Sequence, residues 1–196
     1  MQFNTYTAAG AHIAAALVNS PGMSSSELLV RYGVHDAGDA DLRLWTARLQ
    51  PAFETTDAAQ AAIVDALLVD ADCRPRLVSH DGQAPHIHHA PLDAPLDRRV
   101  MALTAAGLAQ LIADGAGARL GHCHRDGCAE VFVDTSRNGR RRYCSVRCAN
   151  VTNVARHRAR RRLPTVTFPQ VFTQAGRAPC LVLEMLSTIA HSLIHR

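Results

Sequence analysis

Two close pairs of cysteines are the residues of this sequence best suited to chemistry. Cys123 and Cys128 are separated by four residues, and Cys144 and Cys148 by three. Four thiolates are the number that a closed, tetrahedral structural zinc site needs, and such a site leaves no position open for substrate. The sequence therefore predicts one structural Zn²⁺ bound by these four cysteines, and the alternative is four reduced cysteines without a metal.

Other sulfur and imidazole groups compete weakly for this role. His122 and His124 flank Cys123 and could replace a thiolate, but we expect them to lie outside the ligand set. Cys73 and Cys180 are isolated in the sequence, and we interpret them as unliganded thiols.

The segment between the cysteine pairs predicts a β-hairpin that brings the pairs together. Val131, Phe132 and Val133 read as one strand, Asn138-Gly139 as a turn and residues 141–143 as the returning strand, because Asn-Gly is a strong hairpin signal. A module of about 40 residues rarely stays folded without a staple such as zinc.

A basic helix is predicted to begin at Cys148 and to stop before Pro164, since proline breaks a helix. Its apolar positions are expected to face the metal and the hairpin. These positions are Val151, Val154, Ala155 and Ala159.

Charge is distributed unevenly along the chain, which has 196 residues and a net charge of +4. Residues 1–121 hold eight arginines and thirteen acidic residues, whereas residues 122–162 hold eleven arginines and three acidic residues. Such a basic segment indicates a polyanionic partner, and we favour nucleic acid over an acidic protein. The predicted contact residues are Arg137, Arg140, Arg141, Arg142, Arg147, Asn150, Asn153, Arg156, Arg158, Arg160 and Arg161. Of these, Asn150, Asn153, Arg156 and Arg160 are the candidates for base edges.

Helical patterns dominate the region before the cysteines. We predict helices over residues 8–18, after the Ser24–Glu27 capping box, over 39–53, from Thr56 or Asp57 to about Asp72, and over 93–113. Two short strands around Asp81-Gly82 carry His80, His86, His88 and His89. These histidines could form a catalytic or second metal site, but surface histidines on a hairpin are the preferred interpretation, and we expect no enzyme activity.

The cysteine segment resembles the CGNR-type zinc finger. The matching residues are Cys123 and Cys128; Phe132, Asp134, Ser136, Arg137 and Asn138; Arg141, Arg142, Cys144 and Ser145; and Cys148, Ala149, Asn150 and Val151. Ala149 and Val151 stand where the family signature has glycine and arginine. The resemblance implies DNA binding by the arginine-rich helix and an N-terminal domain of the alanine-rich ABATE type, found in proteins regarded as stress-induced transcription regulators.

The predicted fold class is α+β. A mainly helical, ABATE-like domain with a small β-hairpin (1–120) precedes a treble-clef-like zinc finger (121–163), then a proline-containing linker and a C-terminal helix (164–196). The predicted function is a zinc-dependent regulator of transcription that binds duplex DNA, with sensing of a small-molecule effector or homodimerisation by the N-terminal domain. The alternative is a zinc-stabilised adaptor for protein or RNA. Without a basic leader or an apolar run of about 18 residues, we expect a cytoplasmic protein without a membrane partner.

Overall fold

A computed structural model describes residues 5–20, 24–32, 40–79, 82 and 84–162. By contacts the chain divides into two units, Met1–Arg160 and Arg161–Arg196. The helices of the described ranges are α1 (Thr5–Asn19), α2 (Ser25–Val30), α3 (Arg43–Leu49), α4 (Pro51–Glu54), α5 (Asp57–Asp70), α6 (Leu96–Ala113) and α7 (Val146–Arg162). The strands are β1 (Arg76–Val78), β2 (His86–His88), β3 (Leu120–His122) and β4 (Val131–Val133). None of the helices in these ranges is long and apolar enough to cross a membrane.

Helices α1 and α6 form the centre of the helical part, and two glycines let them approach closely. A Cβ on Gly107 would lie 2.6 Å from the backbone nitrogen of Ala11, and a Cβ on Gly10 would collide with the carbonyl oxygen of Leu103. Neither glycine can be replaced without moving a backbone. The close approach explains how an alanine-rich sequence with few aromatic residues builds a dense core.

The region 39–53, predicted as one helix, contains two. Pro51 occupies the first turn of α4, directly after α3, because proline suits a helix start and not its interior. The spacing of Leu44, Trp45 and Phe53 predicts that all three lie on the apolar side; Trp45 and Phe53 are buried, but Leu44 is 85% exposed. The indole Nε1–H of Trp45 donates to the hydroxyl of Thr104 on α6 at 2.9 Å, which ties α3 to the central pair.

Helix α5 turns a different side to the core than its sequence pattern indicates. The sequence pattern predicts an apolar side made of Ile63, Ala66, Leu67 and Val69. Leu67 is buried, whereas Ala66 is exposed and Val69 is 74% exposed. Val64 and Gln60 are buried in their place. Periodicity could not select this side, because ten of the fourteen residues of α5 are apolar and all its sides are therefore similarly apolar.

The other predictions for the helical part agree with the structure within a few residues. Ser24 caps α2 by accepting a hydrogen bond from the amide of Glu27 at 3.1 Å. Strands β1 and β2 pair antiparallel, with Leu77 opposite Ile87. The predicted C-terminal helix over 181–194 and the linker before it lie outside the described residues.

Strand β4 pairs with β3, not with residues 141–143, so the predicted hairpin partner was wrong. Leu120 is opposite Val133 and His122 is opposite Val131 in this antiparallel pair. Residues 141–143 are not a strand. Leu120, Val131 and Val133 are buried in the same cluster as the helical core, which is why the apolar β4 stays on that side.

Side-chain hydrogen bonds join the helical part to this β-hairpin and to the turn that precedes it. The amide nitrogen of Asn19, at the end of α1, donates to the carbonyl oxygen of Val131 at 2.9 Å, and its oxygen accepts from the amide of Val131 at 2.8 Å. Gln60, which is 2% exposed, donates to the carbonyl oxygens of Ala52 and Gly117. The helical part and the hairpin therefore pack as one body within residues 1–160, and the domain boundary predicted at 120/121 stays a prediction.

Candidate metal centre and nucleic-acid interface

Loops and a helix start position the four cysteines. Cys123 follows β3, and its amide donates to the carbonyl oxygen of Glu130 at 2.8 Å. Cys128 closes a turn with its amide on the carbonyl oxygen of Arg125 at 3.0 Å. Cys144 precedes α7, and Cys148 lies in its first turn. The pairs therefore come from two separate segments whose ends meet.

The sulfur atoms of Cys123, Cys128, Cys144 and Cys148 all lie within 4.8 Å of one another. The Sγ atoms of Cys128 and Cys144 are 3.8 Å apart, those of Cys144 and Cys148 3.5 Å, and those of Cys148 and Cys128 4.0 Å. Tetrahedral zinc with Zn–S bonds of about 2.3 Å requires sulfur separations of about 3.8 Å. The donors therefore fit Zn²⁺ in type, number and spacing. Among the described residues, no other histidines, cysteines or acids form a group of three or more of this kind.

The guanidinium of Arg125 lies against the sulfur cluster. Hydrogen bonding to Cys128, then the charge of Cys148, raises the pKa of Arg125. A zinc ion with four thiolates carries a net negative charge, and a guanidinium beside it offsets that charge. The sequence pattern did not single out Arg125, because nothing in an arginine-rich segment indicates which arginine contacts the sulfur atoms.

Asp134 organises the loop between β4 and Cys144. One carboxylate oxygen accepts from the amide of Ser136 and the other from the amide of Arg141, both at 2.8 Å. Burial raises the pKa of Asp134, but hydrogen bonds from Ser136 and Arg141 and the charge of Arg119 outweigh it and hold the pKa below its usual value. These contacts, not strand pairing, bring residues 141–143 back towards the metal site.

The predicted turn at Asn138-Gly139 is confirmed. Gly139 has a φ of +59°, which glycine adopts more easily than other residues, and its amide donates to the carbonyl oxygen of Ser136 at 3.3 Å. Arg119 donates from one guanidinium nitrogen to the carbonyl oxygens of Asp134 and Ser136, at 2.9 and 2.8 Å. This side chain, which sequence reasoning did not select, fixes the base of the loop.

Arg141 has internal partners. Its guanidinium carbon lies 4.6 Å from the centre of the Phe132 ring, its Nε donates to the carbonyl oxygen of Tyr143 at 2.9 Å, and a terminal nitrogen donates to the carbonyl oxygen of Cys144. Cation–π and hydrogen-bond contacts hold the side chain within the finger. Among the predicted nucleic-acid contacts, Arg141 therefore serves the finger's own structure.

Within the part of the chain that the structure describes, helix α7 is anchored at its first turn. The hydroxyl of Ser145 accepts from the amide of Cys148 at 3.3 Å, which is an N-cap contact. The helix begins at Val146, two residues before the predicted start. From residue 153 to 161 every side chain is exposed.

The predicted inner side of α7 was wrong. Val151 and Val154 are each 49% exposed, and Ala155 and Ala159 are exposed as well. The zinc site and its loops are too small to cover a helix beyond its first turns, so the apolar positions have nothing to pack against among the described residues.

The remaining predicted contacts form two groups on the finger surface. Arg137 and Arg140 line one shallow depression on the loop together with Asn138. The helix group is exposed along α7 and consists of Arg147, Asn150, Asn153, Arg156, Arg158, Arg160 and Arg161.

Arg142 lies next to the helix group. A guanidinium nitrogen of Arg142 is 3.5 Å from His124 Nδ1. Burial, then the charges of Arg142, His122 and Arg156, lowers the pKa of His124. The charges of Arg142 and Arg156 therefore both reach His124. His124 belongs to this basic region and lies outside the group of four cysteines.

The histidines of the first hairpin do not build a comparable site among the described residues. His86 and His88 lie on one face of β2, with their Nε2 atoms 2.9 Å apart, as strand alternation predicts. His80 and Asp81 lie outside the described residues. No third histidine, cysteine or acidic residue joins the pair as a possible metal ligand within the described ranges.

Comparison with known proteins agrees with the sulfur geometry. Residues 119–161 match the CGNR zinc finger. The match begins at Arg119, which supports the loop, and covers all four cysteines and most of α7. No curated protein matches the chain significantly.

Proposed function

We propose that this protein is a zinc-dependent, DNA-binding regulator of transcription. The observation that carries the proposal is α7, a helix with six arginines and no acidic residue, which is tied to a metal site at one end and has exposed side chains from residue 153 to 161. A zinc-anchored, projecting cationic helix suits insertion into a groove of nucleic acid, whose phosphates supply most of the affinity.

One face of α7 is suited to contacts with base edges. Asn150, Asn153, Arg156 and Arg160 follow one another at three- to four-residue spacing and are all exposed, so they share a face. The planar fork of arginine matches guanine, and the asparagine amide matches adenine. The loop arginines Arg137 and Arg140 would contact phosphates, which position a protein without reading sequence.

The helical part would serve sensing or homodimerisation, as the ABATE resemblance implies. One finger offers a small interface, so a second contact or a dimer would supply the rest of the specificity. A treble-clef arrangement of the zinc site, a cytoplasmic location and the absence of enzyme activity belong to this proposal. Its support is the set of four thiolates, which a reducing compartment maintains and which leaves zinc without an open position.

An adaptor that binds an acidic protein or RNA is the second candidate. The observation that favours it is the apolar surface mixed with arginines on α7, where Val146 is 76% exposed and Val151 49% exposed. Apolar contacts contribute little against phosphates but much in a protein interface.

The test is DNA binding by the zinc-loaded chain, with oligonucleotides selected from a random pool and a scrambled version of the winner. We expect preference for the selected sequence and a steep salt dependence. Replacing both Arg137 and Arg140 by glutamine should reduce the slope of log K against log salt by about 1.8, because each of these loop arginines is proposed to contact a phosphate. The control replaces Arg31 and Arg76, exposed arginines of the helical part, and should leave the slope unchanged. Equal affinity for selected and scrambled DNA would contradict the regulator and favour the adaptor.

Val151 gives a gain-of-binding test at the position where the family signature has arginine. Val151→Arg should tighten DNA binding and raise the salt slope by about 0.9 if this position reaches a phosphate. Val146→Arg adds the same charge at another exposed position of α7. A gain that is as large for Val146→Arg would show a general charge effect without a special role for position 151.

A further inference from the structure

A small cavity lies in the helical part, among residues of α2, β2 and α6 that the proposed DNA contacts do not include. Its volume is about 280 Å³, close to the lower end of the roughly 300–1,000 Å³ of ligand pockets. Leu29, Val100 and Leu103 provide apolar walls, and Leu29 and Val100 are buried parts of the domain core. The walls therefore suit a compact apolar group.

One polar atom of the lining is buried without a partner. The Nδ1 atom of His89 has no hydrogen-bond partner within the described structure, although buried polar atoms are nearly always satisfied. Burial, then the charge of His88, lowers the pKa of His89. A neutral imidazole can still donate one hydrogen bond, so a ligand atom in the cavity could satisfy His89.

Arg99 supplies a positive charge to the same cavity. It lines the cavity from α6 and is exposed, and it is absent from the ion pairs of the described residues. None of the described residues that line the cavity is acidic. Its electrostatics therefore favour an anion, and the guanidinium fork matches a carboxylate.

We propose that this cavity binds a small organic acid with one apolar body and one carboxylate. The apolar body lies against Leu29, Val100 and Leu103, and the carboxylate accepts hydrogen bonds from Arg99 and His89. As an account of sensing, this rests on the regulatory function proposed above, whereas binding of the acid itself does not require that the protein bind DNA.

The experiment uses the zinc-loaded full chain with labelled leucine and valine methyl groups, titrated with phenylacetate, benzoate, isovalerate and hexanoate in the absence of DNA. We expect at least one acid to bind saturably with a Kd of about 1 mM or tighter and to shift the methyl signals of Leu29, Val100 and Leu103. Val64 and Leu67, which are buried but do not line the cavity, should move little.

Two variants and one neutral compound test the polar contacts. Arg99→Gln should weaken binding about tenfold or more, because a charge-assisted hydrogen bond is lost. Arg98→Gln removes a neighbouring charge outside the cavity lining and should leave binding unchanged. His89→Phe keeps a ring and removes the donor, and should weaken binding severalfold. The amide of the best acid should bind at least about tenfold more weakly than the acid.

Absence of saturable binding for all four acids up to 10 mM would overturn the proposal, as would equal binding by Arg99→Gln and the unaltered chain. Either result would leave DNA binding through α7 untouched. Conversely, if the chain bound an acid but had no affinity for DNA, the ligand site would be supported and the proposed regulatory function would be contradicted. The two proposals therefore fail separately.

Discussion

The helical part and the zinc finger of this protein are stabilised in different ways. Around α1 and α6, buried apolar side chains form a continuous core with few polar contacts, such as that between Trp45 and Thr104. In the finger, sulfur atoms and the carboxylate of Asp134 organise loops that have almost no apolar core of their own. The helical part should therefore tolerate the loss of any one polar group better than the finger.

The two regions are nevertheless joined, because β3 and β4 belong to both. Val131 and Val133 pack into the helical core, while the segments that leave these strands carry the cysteines and Asp134. The helical part supplies the finger with a buried edge that a free module of about 40 residues would lack. The comparison leads to predictions that differ in which region they affect and by how much.

Loss of a zinc ligand should have the largest effect, and it should be confined mostly to the finger. Cys144→Ser removes one of the four thiolates and should therefore release the zinc. The effect on the finger should be large, because structural zinc contributes roughly 10 kcal/mol or more to the folding of small fingers. Mass spectrometry measures the zinc content, and hydrogen exchange of residues 134–152 measures the unfolding of the finger. Cys73→Ser, outside the cluster, is the control. Full zinc content in Cys144→Ser would contradict the assignment.

A cavity in the helical core should destabilise the other region. Leu108 is fully buried, so Leu108→Ala should lower the free energy of unfolding by about 2–5 kcal/mol. Denaturant unfolding measures this, and zinc content of the folded protein should stay at one per chain. If zinc were lost from the folded variant, the two regions would not be stabilised separately.

The joint between the regions should give an intermediate effect. Asn19→Ala leaves the amide and carbonyl groups of Val131 without their partner, which should cost about 2–3 kcal/mol. Hydrogen exchange at Val131 should accelerate more than exchange in α5. Asn153→Ala on the exposed side of α7 serves as the matched control and should not change either rate.

Asp134→Asn should cost about 1–2 kcal/mol, since the asparagine amide cannot accept from both Ser136 and Arg141. The pKa of Asp134 in the folded protein is lowered from the usual 3.8. The stabilisation by its carboxylate is therefore fully present above that pH, and it is lost as the pH falls through the pKa of the folded protein. The difference in amide exchange between the two proteins should therefore be constant from pH 7 to 5 and shrink below 3.8. Asp126→Asn, on an exposed residue, is the control, and a difference that grows in acid would contradict the role.

The smallest effect is expected on the distal part of α7. Val154→Ser replaces a residue that is 49% exposed, so stability should change by no more than about 0.5 kcal/mol. Thermal unfolding measures the change, with Val64→Ser in the buried core as the contrasting variant. A loss of 2 kcal/mol or more would mean that the valine is covered in solution.

The accuracy of the sequence-based predictions follows the same division between regions. Local signals gave correct results, as with the Ser24 cap, the turn at Gly139 and the presence of the two short strands β1 and β2. Errors occurred where a long-range partner decides the outcome, as with the strand that pairs with β4 and the side of α5 that is buried. Arg119 and Asn19 were missed because their hydrogen-bond partners are distant in sequence or are backbone atoms, which no residue type reveals.

The sequence by itself predicted which four cysteines come together, because two cysteines within one short segment lie near each other in any fold. It also determined the basic character of α7, since a run of arginines without acids stays basic in any fold. Only the tertiary structure decided that β4 packs on the helical part, that Arg141 is used internally and that the valines of α7 stay exposed. The physical reason is that burial depends on which surfaces meet, and surfaces meet through contacts between residues far apart in the chain.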